Sequence, residues 1–241
     1  DLLRDECEKI NKVFFHYIQT GTPYVTMKYA MTLDGKIAAY TGESKWVTGE
    51  KAREHVQLQR HINSGIMVGV GTVLADDPLL TCRMSGGKNP VRIICDSQLR
   101  TPLTSQIVKT AGEISTILAT CCCDETAHQP YVKAGCRILT VGQKNGRVDL
   151  TELMKRLGSE KIDSILLEGG GTLNWSAVES GIVQKVQTYI ASKVFGGSSA
   201  KTPVEGQGFP SPAESVKIIN STIIRLGDDF LIEGEVDKEA K

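Results

Sequence analysis

The segment Ile165-Leu166-Leu167-Glu168-Gly169-Gly170-Gly171-Thr172 constrains this chain more than any other. Its apolar run reads as a buried strand, and the consecutive glycines after it force a tight turn into the helix expected over 172–180. A strand that ends in glycines and opens a helix leaves backbone N–H groups unpaired where an anion can approach with no Cβ in the way. The helix dipole adds to that attraction. A tight strand-to-helix turn without a ligand has the same pattern, so the segment alone leaves both readings open. It is not a dinucleotide fingerprint or a P-loop, because neither G-x-G-x-x-G nor G-x-x-x-x-G-K-[ST] occurs in the chain. A second glycine turn, Gly69-Val70-Gly71-Thr72, also follows an apolar run. Two such turns at the carboxyl ends of strands in one sheet point to one ligand crevice between them.

The rest of the chain supplies that sheet. Apolar runs and alternations predict strands over 24–33, 65–70, 91–95, 115–119, 137–141, 164–167 and 183–191. Between them, Leu150, Leu153, Met154 and Leu157 have helical spacing, and Thr48 can cap a helix that ends near Ile62. At the start, Leu3, Cys7, Ile10, Phe14, Tyr17 and Ile18 recur as on an amphipathic helix over 2–18, stopped by Gly21, Thr22 and Pro23. Strands alternating with helices imply an α/β fold with a mostly parallel sheet flanked by helices. Residues 216–235, turning at Gly227 and Asp228, read as an antiparallel hairpin added to it.

Composition narrows the function. The 28 Lys and Arg balance 28 Asp and Glu, so there is no global positive field for nucleic acid or an anionic membrane, and any anion must be held by a local pocket. No run of 18 apolar residues occurs and the first residues are charged, so the chain reads as cytosolic. Seven irregularly spaced cysteines are expected as reduced thiols; with no C-x-x-C among them, no metal site is expected. No histidine neighbours a nucleophile in a recognisable motif, so a hydrolase triad has no support. Arg53 and Arg60 lie seven apart on one helical face, and a guanidinium fork matches a phosphate monoester, which makes Arg60 and Arg83 the phosphate candidates. Asp76 and Asp77 before Pro78 read either as a self-capped turn or as a carboxylate beside a reacting carbon.

Several blocks, in order, carry a resemblance. They are Pro23-Tyr24-Val25 with Lys28, Ala30-Met31-Thr32-Leu33-Asp34-Gly35-Lys36 and Gly42-Glu43-Ser44-Lys45-Trp46, then Gly71-Thr72-Val73-Leu74-Ala75-Asp76-Asp77-Pro78-Leu79-Leu80-Thr81, Asp96-Ser97 and Leu167-Glu168-Gly169-Gly170. Together they resemble the reductase domain of the bacterial riboflavin-biosynthesis deaminase/reductases. The resemblance implies a dihydrofolate-reductase-like fold over 23–241. It also implies NADPH-dependent reduction of the ribosyl group of 5-amino-6-(5-phosphoribosylamino)uracil to ribityl. By position, the cofactor is expected against Ala30, Trp46, Thr72, Asp76, Ser97, Gly170, Gly171, Thr172, Leu173, Asn174, Trp175 and Ser176. The substrate is expected against Ser44, Arg60, Leu80, Arg83 and Glu168. Asp76 is the expected catalytic carboxylate, Ser97 with Arg100 the expected readers of the cofactor 2′-phosphate, and a homodimer the expected assembly. Residues 1–22 resemble the end of a deaminase half, whose H-x-E and P-C-x-x-C are absent here. With Asp1 in place of a methionine, the chain is expected to be a C-terminal fragment joined to that deaminase domain in the full-length protein. Two alternatives stay open: a related reductase acting on another pterin or pyrimidine, and a non-catalytic NADPH-binding module.

Overall fold

The structure, a computed structural model, describes Leu3, Cys7 and residues 10–238. Helix α1 (Lys12–Thr20) ends on Gly21 at φ 66°, whose N–H donates to Tyr17 O. Most of the expected helix before residue 10 lies outside the described residues. Then follow β1 (Tyr24–Thr32), α2 (Glu50–Ile62), β2 (Gly65–Gly69), α3 (Val70–Asp76) and β3 (Val91–Cys95). Next are α4 (Gln106–Lys109), β4 (Thr116–Thr120), α5 (Glu125–Lys133), β5 (Arg137–Thr140) and a small ribbon of β6 (Gln143–Lys144) and β7 (Arg147–Val148). The chain continues through α6 (Leu150–Ser159), β8 (Ser164–Leu167), α7 (Gly171–Glu179) and β9 (Val183–Ala191), and closes with β10 (Ile218–Leu226) and β11 (Asp229–Val236). None of the described helices is long and apolar enough to cross a membrane.

The main sheet has the order β10-β11-β9-β1-β8-β2-β3-β4-β5. From β9 to β5 every neighbouring pair is parallel, and β10 and β11 form the expected antiparallel hairpin along β9. Parallel strands are covered on both faces, and the burial shows it. Val25, Met27, Met67, Ile93, Ile117, Ile165 and Leu167 pack toward α6 and α7. The intervening Ile66, Val68, Ile94 and Leu118 pack the other way, against Val73, Ile107, Val108 and Tyr131. β8, which comes late in the chain, inserts between β1 and β2, so connections diverge on either side of it. A crevice opens at the carboxyl ends of strands at such a switch point.

Two features differ from the sequence expectation. Thr48 does not cap α2: the N-cap is Gly49, whose N–H donates to the buried Asp229 carboxylate at 2.6 Å, so the cap comes from the distant hairpin. Within the apolar run of β3, Arg92 is fully buried. Its guanidinium donates to Thr116 Oγ1, Thr110 Oγ1 and the carbonyls of Leu79, Ile107 and Ile114 at 2.6–3.2 Å. The bond to Leu79 ties the Asp-Asp-Pro turn to the sheet, and Gln106 N–H donates to Asp77 Oδ1 at 2.8 Å from the other side.

Candidate active site

Strand register creates a cluster of charged side chains at the base of the sheet's crevice. Leu167, the last residue of β8, lies opposite both Met27 of β1 and Met67 of β2. One residue on, Glu168 stands beside Lys28, and neighbours in register on parallel strands project to the same face. Lys28 Nζ is 3.6 Å from Glu168 Oε2. Arg60, in the last turn of α2, closes on the same carboxylate with both prongs of its fork: Nε donates to Oε1 at 2.8 Å and Nη2 to Oε2 at 3.0 Å. Its Nη1 donates to Thr81 O at 3.1 Å. Burial opposes ionisation of Glu168, yet the Arg60 and Lys28 charges prevail and draw its carboxyl down to about 2. Burial also pushes the Lys28 ammonium down, and Glu168 restores part of the loss. Behind Lys28, 5.6 Å from its Nζ, lies the Tyr189 ring, whose hydroxyl is 2.7 Å from His55 Nδ1.

From this cluster a cleft of about 750 Å³ runs over the carboxyl ends of β2 and β3 to the β6–β7 ribbon. A side cavity of about 440 Å³ opens along the segment from Asp76 to Thr81. A Cβ built on Gly71 or on Gly170 meets no atom within 4 Å, so both glycine turns border open space, as close approach of a phosphate requires. Gly171 has a different reason to be glycine: a Cβ there would lie 2.7 Å from Thr202 O and closer still to the Glu205 side chain.

A family model described as the RibD C-terminal domain matches residues 23–232. The chain belongs to that family. Riboflavin biosynthesis protein RibD of Actinobacillus pleuropneumoniae is 53% identical over 232 residues, 96% of this chain and 62% of that protein. The 2,5-diamino-6-ribosylamino-4(3H)-pyrimidinone 5′-phosphate reductase of Methanothermobacter thermautotrophicus is 36% identical over 214 residues, 88% of this chain and 97% of that protein. Among solved structures, RibD of Acinetobacter baumannii superposes with a TM-score of 0.84 at 28% identity, over 97% of this chain and 64% of that one. The chain thus spans less than two thirds of the RibD proteins it resembles.

In this RibD-family domain, most of the residues expected at the site are brought together. Ala30, Trp46, Thr72, Asp76, Ser97, Gly170, Gly171, Thr172, Leu173 and Ser176 line the main cleft, with Ser44, Arg60, Arg83 and Glu168. Leu80 lines the side cavity. Ser44 Oγ donates to Asp76 Oδ1 at 3.4 Å. Asn174 and Trp175 are not brought in. The helical period of α7 turns them inward, away from Thr172, Leu173 and Ser176. Asn174 is fully buried and donates to Pro203 O at 2.8 Å, and Trp175 packs edge-on against Phe209. The two phosphate candidates, Arg60 and Arg83, are placed differently. The fork of Arg60 is spent on Glu168, whereas the exposed Arg83 side chain has no hydrogen bond or ion pair among the described residues.

Sequence reasoning missed several residues of the cleft. Lys28 lies on the face the β1 alternation predicts, but only its pairing with β8 reveals its partner. Arg53 lies 4.8 Å from the Trp46 ring centre, with Nη1 donating to Thr48 O at 2.8 Å. Lys201 and Glu205 enter from the loop after β9, which carries no motif.

Proposed function

We propose that this domain is the NADPH-dependent reductase of riboflavin biosynthesis that converts the ribosyl group of 5-amino-6-(5-phosphoribosylamino)uracil to ribityl. One observation carries the reading: a single cleft joins two open glycine turns to a buried, neutralised carboxylate cluster, with Asp76 and Ser44 between them. The glycine turns and the opening of α7 would hold the dinucleotide phosphates, and Trp46 and Ala30 would border the reducing ring. When bound, NADPH supplies a hydride.

The chain's own residues act on the other reactant. A ribosylamine presents an electrophilic carbon once its ring opens to an imine at C1′. Asp76 is the carboxylate suited to orient the opened ribose and to balance positive charge at that carbon. Arg83 is the cation available to the 5′-phosphate. Glu168, fixed by Arg60 and Lys28, accepts hydrogen bonds from the pyrimidine edge or a ribose hydroxyl. Lys28 has donors only, so it can hold a ring carbonyl, whereas an amino substituent would meet it donor to donor. Holding the reactants together in one crevice is the main catalytic contribution. The proposed setting is the cytoplasm. The proposed assembly is a homodimer whose full-length chain carries an upstream deaminase domain. Apolar surface for it exists on α1, at Phe14 and Ile18, and on the outer strand β10, at Ile223.

The test is loss of reduced-nicotinamide absorbance with the phosphoribosylaminouracil, the diaminopyrimidinone or dihydrofolate offered in turn. The uracil is expected to be consumed fastest. Consumption with dihydrofolate alone would make the domain a different reductase, and NADPH binding without consumption of any of the three would make it a binding module.

A further inference from the structure

The β6–β7 ribbon stands outside the main sheet. Its strands are joined by Asn145 and Gly146 alone, with φ 52° and 75°. This is the two-residue turn for which Asn-Gly is favoured, and it presents the flanking residues rigidly. Those residues are Lys144 and Arg147, paired directly across the ribbon. Opposed residues of an antiparallel pair project from the same side, so two cations stand together, an arrangement that by itself is destabilising. Neither has a carboxylate partner among the described residues. Arg147 lines the main cleft and reaches toward α7, its Nη1 lying 3.5 Å from Ser176 Oγ. The ribbon is pinned in place by Val148, which is buried and donates its N–H to Ser97 Oγ at 3.0 Å. It is therefore anchored beyond the end of β3, whereas Glu168 follows the last residue of β8 and Lys28 lies midway along β1.

Two cations without counter-charge, on a rigid turn at this end of the cleft, suit a dianionic phosphate monoester. Resting on the dinucleotide reading of the cleft, we propose that Arg147, assisted by Lys144, binds the 2′-phosphate of NADPH and sets the preference over NADH. The main contact thereby moves to the ribbon from Arg100, which lines the same stretch beside Ser97.

Calorimetric titration of the whole chain with adenosine 2′,5′-bisphosphate and adenosine 5′-monophosphate, which differ by that phosphate alone, tests the assignment. The wild type is expected to bind the bisphosphate about tenfold more tightly or better. Arg147→Ala and Arg147→Gln lose about tenfold for the bisphosphate and leave the monophosphate unchanged, and Lys144→Ala loses several-fold. A preference retained in both Arg147 variants, or abolished by Arg100→Ala alone, overturns the assignment and leaves the dinucleotide reading standing. A wild-type chain that binds neither probe nor NADPH overturns both.

Discussion

At the β1–β8 end of the cleft, Lys28 and Arg60 share the Glu168 carboxylate with side chains only 11–14% exposed, whereas at the β3 end Arg100 and Arg147 are exposed with no carboxylate against them among the described residues. The first arrangement is complete without a ligand. Its charges fix the direction of a hydrogen-bonding carboxylate, which suits recognition of a polar ring or sugar edge. The second is incomplete until an anion arrives, which suits a phosphate carried in from solvent. A buried charge must be paired before the ligand comes, because leaving it bare costs several kcal/mol. An exposed charge can wait in water at little cost.

The largest effect expected from this contrast follows removal of the shared carboxylate. Glu168→Ala leaves two buried cations unpaired and should destabilise the fold by about 3–5 kcal/mol, read from urea unfolding. Equal stability of the variant would show that the cluster is not what holds this end together. Arg83→Ala should raise the Michaelis constant for the phosphorylated substrate by the equivalent of ~2–3 kcal/mol with turnover largely kept. An unchanged constant would place the substrate phosphate elsewhere. Asp76→Asn should lower turnover by about tenfold or more and affect substrate affinity less, as expected for a group acting on the reacting sugar. Equal turnover would remove Asp76 from the chemistry.

A further effect is one of pH. The Glu168 carboxyl sits at about 2 in the folded chain against an ordinary 4.5, so in that interval the unfolded chain binds the extra proton. The contribution of Glu168 is therefore complete above pH 4.5 and is lost as pH falls toward 2. Unfolding midpoints followed through that interval should fall less steeply in Glu168→Gln than in the wild type. Identical slopes would contradict the pairing.

Where burial is continuous, the fold was legible. The strands β3 (Val91–Cys95), β8 (Ser164–Leu167) and β9 (Val183–Ala191) fall on their expected ranges, because each concentrates apolar and β-branched residues between turn signals, as a strand covered by packing requires. Short helices were not legible: α4 is a single turn and α5 contains Pro130, so neither shows a helical period. In the site, the glycine turns and the resemblance gave the list of residues but not their contacts. Arg60 reads as a phosphate fork until Glu168 is seen in its grip, and Asn174 and Trp175 read as cofactor contacts until the phase of α7 turns them inward. Arg92 shows the same limit in the core, where a cation within an apolar run is held by hydroxyls and carbonyls from Leu79, residues 107–110 and residues 114–116.

From the sequence come the alternation of strands and helices, the two glycine turns and the family, because hydrophobic period and turn chemistry are properties of neighbouring residues. Only the tertiary structure decides that residues 28, 60 and 168 share one buried charge cluster and that the ribbon faces α7. Those meetings follow from β8 entering the sheet between β1 and β2, a long-range pairing whose register no local pattern records.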